Sequence, residues 1–336
     1  MPPFDTALCR TLDIDHPLVQ APIGSASCPA LAAAVSEAGG LGTLAVTWRG
    51  LDATRRAIRE TRERTDRPFG VNLVLDPATT RAPTEEHLDA CLDAGAPVVS
   101  LSFGDAAPHV ERCREAGATV MQTVGSAEEA REAVAAGVDA VVAQGWEAGG
   151  HVQSEVATMP LVPAVADAVP DAPVVAAGGI ADGRGLAAAL VLGAAGGWLG
   201  TRFVAAEEAR SHGAYRERVR DADETDTVFS ELFDGGWPGT PHRTLRNATV
   251  EAWERAGRPP PGERPGEGET VAAYPNGRPV ERYGDDVALP GMTGDVEALA
   301  LYAGQSSGLT NDVRPAAAIV EGIVAEARAA LDRASA

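Results

Sequence analysis

Between Leu18 and Leu199 the chain repeats one pattern, a short apolar run followed by a longer amphipathic stretch. Eight such runs occur, at residues 19–22, 42–46, 69–73, 97–101, 118–123, 139–144, 173–178 and 196–201. Apolar runs without polar alternation fit strands covered on both faces, and the amphipathic segments between them supply the covering helices. Segments 28–39 and 126–137 behave as such helices, opening on a small or polar residue and closing on glycine. Eight strands joined by crossovers predict an α/β fold of the TIM (β/α)8 type rather than an open sheet.

After residue 205 the repeat stops. Residues 207–226 are charged and read as a helix with a solvated face, and residues 257–268, GRPPPGERPGEG, have the composition of a linker. The last segment ends in a long amphipathic stretch. The expectation is a barrel over 1–205 and 311–336, with the C-terminal helix returning to pack on it, and a smaller, mostly helical cap over 206–310.

Charge narrows the partners. The chain carries 28 basic and 48 acidic residues, a net charge of −20, and every basic residue is arginine. A surface this negative repels nucleic acid and anionic membrane, so neither is expected as a partner. Acid excess without lysine fits a halophile's cytoplasm, where concentrated salt screens the self-repulsion. Cys9, Cys28, Cys91 and Cys113 are scattered, with no CxxC pair and no histidine at ligand spacing, so they read as reduced thiols and no metal site is expected. The first residues lack an apolar h-region, and no run of about 18 apolar residues occurs, which predicts a soluble cytoplasmic protein. The oligomeric state stays open.

The chemistry concentrates in VDAVVAQGWEAGGH, residues 138–151. Val138, Val141 and Val142 belong to a buried strand, Gly145 follows it, and the pair Gly149 and Gly150 lets a flat ligand approach the backbone before His151. Loops at the C-terminal ends of barrel strands carry catalysis, so His151 is the candidate catalytic residue. His16, His87, His109 and His212 read as incidental loop or surface residues, and His242 as a candidate lining residue of the cap.

Two glycine-bearing turns follow the seventh and eighth runs, with Gly178 and Gly179 in one and Gly200 and Thr201 in the other. In this fold those two loops form the usual phosphate site, which points to a phosphorylated cofactor. Ala21, Pro22 and Ile23 bring the first strand past the barrel's centre. Asn72 and Gln122 end the third and fifth runs among apolar neighbours, and two roles fit each: a satisfied structural amide, or a hydrogen bond to the heterocyclic edge of a planar cofactor. No Walker sequence, HExxH or early GxGxxG is present.

The set APIG at 21–24, AAAVSEAGGLG at 32–42, GVNL at 70–73, QG-EAGGH at 144–151, AAGGI at 176–180, GTRF at 200–203 and YAGQSSGL at 302–309 resembles the nitronate monooxygenase family, also called 2-nitropropane dioxygenases. The resemblance implies an FMN-dependent barrel that oxidises alkyl nitronates, and nitroalkanes as well, with O2 to a carbonyl compound and nitrite. It implies that backbone of Gly178, Gly179, Gly200 and Thr201 holds the FMN phosphate, that Ala21, Pro22, Ile23, Asn72 and Gln122 line the isoalloxazine and ribityl chain, and that His151 is the base. Trp146 stands where a smaller residue is expected, and either stacks near the flavin and narrows the pocket or packs under the cap.

Flavin-dependent NAD(P)H:quinone reductases and enoyl-ACP reductases share this barrel and remain the alternative. An acidic surface without lysine is poorly suited to dock an acidic carrier protein. Two further readings are a ligand-binding barrel without catalysis, which nothing in the sequence requires, and a non-flavin barrel acting on a phosphorylated metabolite, such as an isomerase, which a colourless protein would favour.

Overall fold

The computed structural model describes residues 4–79 and 81–335. All eight expected strands form within two residues of their expected bounds. They are β1 (Leu18–Gln20), β2 (Gly42–Ala45), β3 (Phe69–Val74), β4 (Val98–Ser102), β5 (Thr119–Val124), β6 (Ala140–Gln144), then, after the two-residue β7 (Gly150–His151), β8 (Val174–Ala177) and β9 (Gly196–Leu199). Every pairing among the eight is parallel, in the order β1-β9-β8-β6-β5-β4-β3-β2. The circle closes where β1 meets β2, through a bridge between Val19 and Leu41 and the bonds Gln20 N to Leu41 O and Leu41 N to Leu18 O, each 2.9 Å.

Helices alternate with the strands: α1 (Ala7–Leu12), α2 (Pro29–Glu37), α3 (Leu51–Arg62), α4 (Thr84–Asp93), α5 (Ala107–Glu115), α6 (Ala127–Ala135), α7 (Thr158–Ala168), α8 (Gly183–Val191) and the short α9 (Thr201–Val204). Outward strand residues such as Val71, Val99, Val120 and Val141 pack with this helical layer in the largest apolar cluster. Inward residues Val19, Val98, Met121, Val142 and Val175 form a second cluster with Leu8, Leu12 and Ile14. The barrel is therefore filled from its N-terminal end by α1 and the turn after it, which leaves the C-terminal end for a site. The last helix, α12 (Ala316–Ser335), packs against α8 and α2 and takes the eighth helical place.

The segment 206–310 is not mostly helical. It contains two helices, α10 (Gly213–Arg220) and α11 (Ala248–Arg255), and five short strands: β10 (Thr227–Ser230), β11 (His242–Leu245), β12 (Thr270–Ala273), β13 (Pro279–Glu281) and β14 (Thr293–Gly294). Only 213–220 of the expected helix at 207–226 is helical. Gly and Pro break this region into pieces too short for stable helices, and edge pairing satisfies its backbone instead. One of its two small sheets, β10-β11-β7, includes β7 of the barrel loop, so the cap is tied directly to the candidate catalytic residue.

Candidate active site

Along the strands the inward face turns from apolar to polar. Above Val98, Met121 and Val142 stand Asn72 on β3, Ser102 on β4, Thr123 on β5 and Gln144 on β6, and these four line one cavity at the C-terminal mouth. The same cavity is walled by Ala21, Pro22, Ile23, Gly149, Gly150, His151, Gly178, Gly179, Gly200 and Thr201. Eleven expected site residues thus meet in one place, Asn72 among them.

Gln122 and Gly145 do not line it. Strand side chains alternate, and Gln122 shares a face with Val120 and Val124, which pack beneath the helices. Its Nε2 donates to Gly104 O at 3.1 Å, and Oε1 is buried without a partner. Thr123, one residue on, is the inward residue of β5. Gly145 lies outside the cavity wall, its N–H bonded to Ala177 O at 2.8 Å. Trp146 packs under the cap: its ring meets Phe229 edge-on at 5.6 Å and Arg243 lies over it at 4.9 Å.

His151 is held by a small network. Gln144 Nε2 donates to His151 O at 3.2 Å, and Gln144 Oε1 accepts from Gln153 N at 3.0 Å, so one amide grips the chain on both sides of Val152. Cross-strand pairing with His242 and of Gly150 with Arg243 fixes the other edge. The imidazole lies against Trp237 at 4.4 Å, Tyr302 at 5.4 Å and His242 at 5.3 Å. Its Nε2 is buried with no hydrogen-bond partner. Burial, and secondarily the neighbouring His242, depresses its pKa from 6.5 to about 3.

His242 is itself structural. Its Nε2 accepts from Phe233 N at 3.1 Å and its Nδ1 lies 3.1 Å from Thr240 O, a pattern that the neutral Nδ1–H tautomer satisfies at both nitrogens. Burial lowers it to about 4. His87, expected on a surface, is buried against Thr54 Oγ1 at 3.0 Å, and His16 and His109 are buried too.

Composition and spacing missed the cavity's aromatic side. Trp48, Phe103, Trp198, Tyr215, Trp237, Tyr274 and Tyr302 all line it, in a chain that is only 4% aromatic. Trp237 is nearly fully buried, donates from Nε1 to Asp76 Oδ2 at 2.8 Å, and meets Phe103 edge-on at 4.7 Å. Position was the available signal for two of them, because Trp48 and Phe103 follow β2 and β4 at the C-terminal mouth. Among the described residues no group of three or more His, Cys, Asp or Glu side chains is placed to hold a metal ion. All four cysteines are buried free thiols.

Comparison with known proteins gives three informative likenesses. The chain is 40% identical over 255 residues, 75% of its length and 69% of the other's, to a 5-hydroxy-7a-methyl-1-oxo-octahydro-1H-indene-4-carboxyl-CoA dehydrogenase of Mycobacterium tuberculosis. It is 35% identical to a nitronate monooxygenase of Pseudomonas aeruginosa, with 95% of this chain and 98% of that one covered. Its fold matches FabK from Thermotoga maritima with a TM-score of 0.81 at 33% identity, over 99% of each chain. The sequence model of the nitronate monooxygenase family matches residues 5–326, and the chain belongs to that family.

Proposed function

We propose that this protein oxidises alkyl nitronates with O2, with FMN as cofactor and His151 as the group that receives a proton when a neutral nitroalkane is the substrate. The family is FMN-dependent, and the cavity suits that group. Gly178 and Gly179 hold φ of +106° and +72°, in the left-handed region open to glycine, and a Cβ on Gly179 would meet nothing within 4 Å. The backbone there is therefore bare toward a ligand, as a phosphate cradle requires, with Gly200 and Thr201 on the adjoining turn. Asn72, Ser102 and Thr123 offer the polar edge for the isoalloxazine, and Ala21, Pro22 and Ile23 its apolar wall. When bound, FMN supplies the electron-accepting centre and the reaction with O2.

The protein's own contribution centres on His151. The residue lines the cavity beside Trp237 and Tyr302, and its Nε2 is buried without a hydrogen-bond partner. A nitroalkane C–H placed against the imidazole would break with the proton passing to a ring nitrogen of His151 and the electron pair moving onto the nitro group. An imidazole depressed to about 3 is always ready to accept but holds a proton weakly. That weakness suits substrates that arrive already deprotonated, but the observation that carries the assignment to nitronates is the match of the nitronate monooxygenase family model over residues 5–326. The acid-rich, lysine-free composition supports a salt-rich cytoplasm as the compartment.

The test is an absorbance spectrum of the protein purified in molar salt, followed anaerobically by propyl nitronate and, in a second cuvette, NADH. Flavin bands bleached by nitronate alone support the proposal. Bleaching by NADH alone moves the protein to the reductases of the same barrel, and a colourless protein overturns the cofactor.

A further inference from the structure

The cavity has a second ionisable wall that the reading above does not use. Asp285 lines it on the cap side, together with Asp286, Arg278 and Arg81. Its neighbour Asp286 is engaged, accepting from Tyr274 OH at 2.6 Å and from Arg278 Nη2 at 2.7 Å. The carboxylate of Asp285, by contrast, is within ion-pair distance of no arginine among the described residues. It lies pressed against Gly236, where a Cβ would collide with both its oxygens. Gly236 precedes Trp237, which stacks on His151, and Tyr302, the other ring beside His151, reaches from its OH to Asp285 O at 3.4 Å. Asp285 and His151 therefore belong to one aromatic frame and look into one space.

We propose that Asp285 determines specificity for anionic substrates by binding them in its protonated form, so that nitronate binding takes up one proton and the carboxyl donates a hydrogen bond to the bound anion. This rests on the nitronate reading. An ionised carboxylate beside an anion is repulsive, whereas the carboxylic acid is a donor. The same logic discriminates against a second fixed negative charge on the substrate.

The surroundings make the proton available. Burial first, and then Asp286, raise Asp285 from 3.8 to about 6, against a hydrogen bond from its own backbone and the weaker pull of Arg81 and Arg278. Among the cavity's other groups His151 sits near 3, and Tyr274, Tyr215 and Tyr302 lie well above their usual value.

The experiment is the KM for freshly prepared propyl nitronate from about pH 6 to about pH 9, by nitrite release, with 1-nitropropane as the neutral comparison. One-proton linkage predicts that KM for the nitronate rises about tenfold per pH unit above the Asp285 ionisation. The neutral substrate should show no such slope. Asp285→Asn and Asp285→Ser, neutral donors at every pH, should give a flat profile, with flavin content as the check on folding. Asp286→Asn should move the onset to lower pH. A flat wild-type profile, or a slope that survives in Asp285→Asn, overturns the proposal. If the wild type releases no nitrite from propyl nitronate at any pH, it is the nitronate reading itself that fails.

Discussion

His151 and His242 oppose each other across paired strands, one from the barrel and one from the cap, with their rings 5.3 Å apart and both imidazoles held neutral by burial. The pair therefore joins two parts of the molecule at the point where chemistry is expected. Two cations that close would repel, so protonation of both rings opposes this pairing.

The consequence is acid sensitivity with a definite sign. Both residues titrate at 6.5 when unconstrained and at about 3 and about 4 in the fold. The unfolded chain binds more protons in that window, so this stabilisation is present in full above about pH 6.5 and is lost as pH falls toward 4 and then 3. Melting temperature should begin to fall near pH 6.5, a fall partly offset below about pH 6 by proton uptake at Asp285, whose carboxyl is raised to about 6 in the fold. His242→Gln, whose amide can serve both Phe233 N and Thr240 O, should shrink that early fall. An unchanged acid slope in the variant would place the titration elsewhere.

Removing the candidate base separates two kinds of substrate. His151→Ala should lower turnover of 1-nitropropane by roughly 10²–10⁴-fold, the usual contribution of a positioned base. Propyl nitronate needs no deprotonation, so its turnover should stay within about tenfold of wild type, allowing for lost packing on Trp237. Parallel steady-state assays decide it, and equal losses would mean that His151 does something other than accept a proton.

Gly149 and Gly304 stand back to back, and this contact seats the cap on the catalytic loop. A Cβ on Gly149 would lie 2.6 Å from Ala303 C, and one on Gly304 would lie 2.7 Å from Glu147 O and 2.8 Å from Gly149 N. The neighbouring bonds Gln305 N to Glu147 O at 3.0 Å and Gly304 N to Thr201 Oγ1 at 2.9 Å leave the backbones little room to part. Gly149→Ala or Gly304→Ala should each destabilise by roughly 1–3 kcal/mol, the range for overpacking a close contact. Denaturant melts would show it, and a neutral result would mean the cap yields freely.

The barrel was legible because each strand announces itself. Val71, Val99, Val120, Val141 and Val174 recur at the same place in successive units, and burial on both faces demands such residues. The barrel side of the cavity was legible for the same reason, since Asn72, Gly178 and Gly200 stand near or just past the C-terminal ends of those strands. Gln122 shows the limit: a strand's period of two means that a polar residue one place out of step faces the helices, and composition alone does not fix that parity. The cap side was not legible. Trp237 and Asp285 come from distant segments, and their meeting with Trp48 and Phe103, which follow β2 and β4, depends on cap strands only two to four residues long whose pairing is set by tertiary contacts. Trp146 was read correctly only as an alternative, because its partners Phe229 and Arg243 lie across that same small sheet.

Salt should stabilise the protein, because repulsion outweighs the ion pairs that salt also screens. The net charge is −20, while pairs such as Arg10–Asp5, Arg112–Asp89 and Arg114–Glu111 are solvent-exposed. Exposed pairs contribute about 0–1 kcal/mol each, and the Debye length falls from about 10 Å at 0.1 M to about 3 Å at 1 M, which quenches the unpaired acidic surface over its typical spacings. A melting temperature several degrees higher in molar KCl than in dilute buffer is the expected result. Sucrose at matched water activity serves as the control, since exclusion of a cosolute also favours compact states. A gain in KCl well beyond the gain in sucrose assigns the effect to charge screening, and equal melting temperatures in molar KCl and dilute buffer would remove the case for a salt-adapted surface.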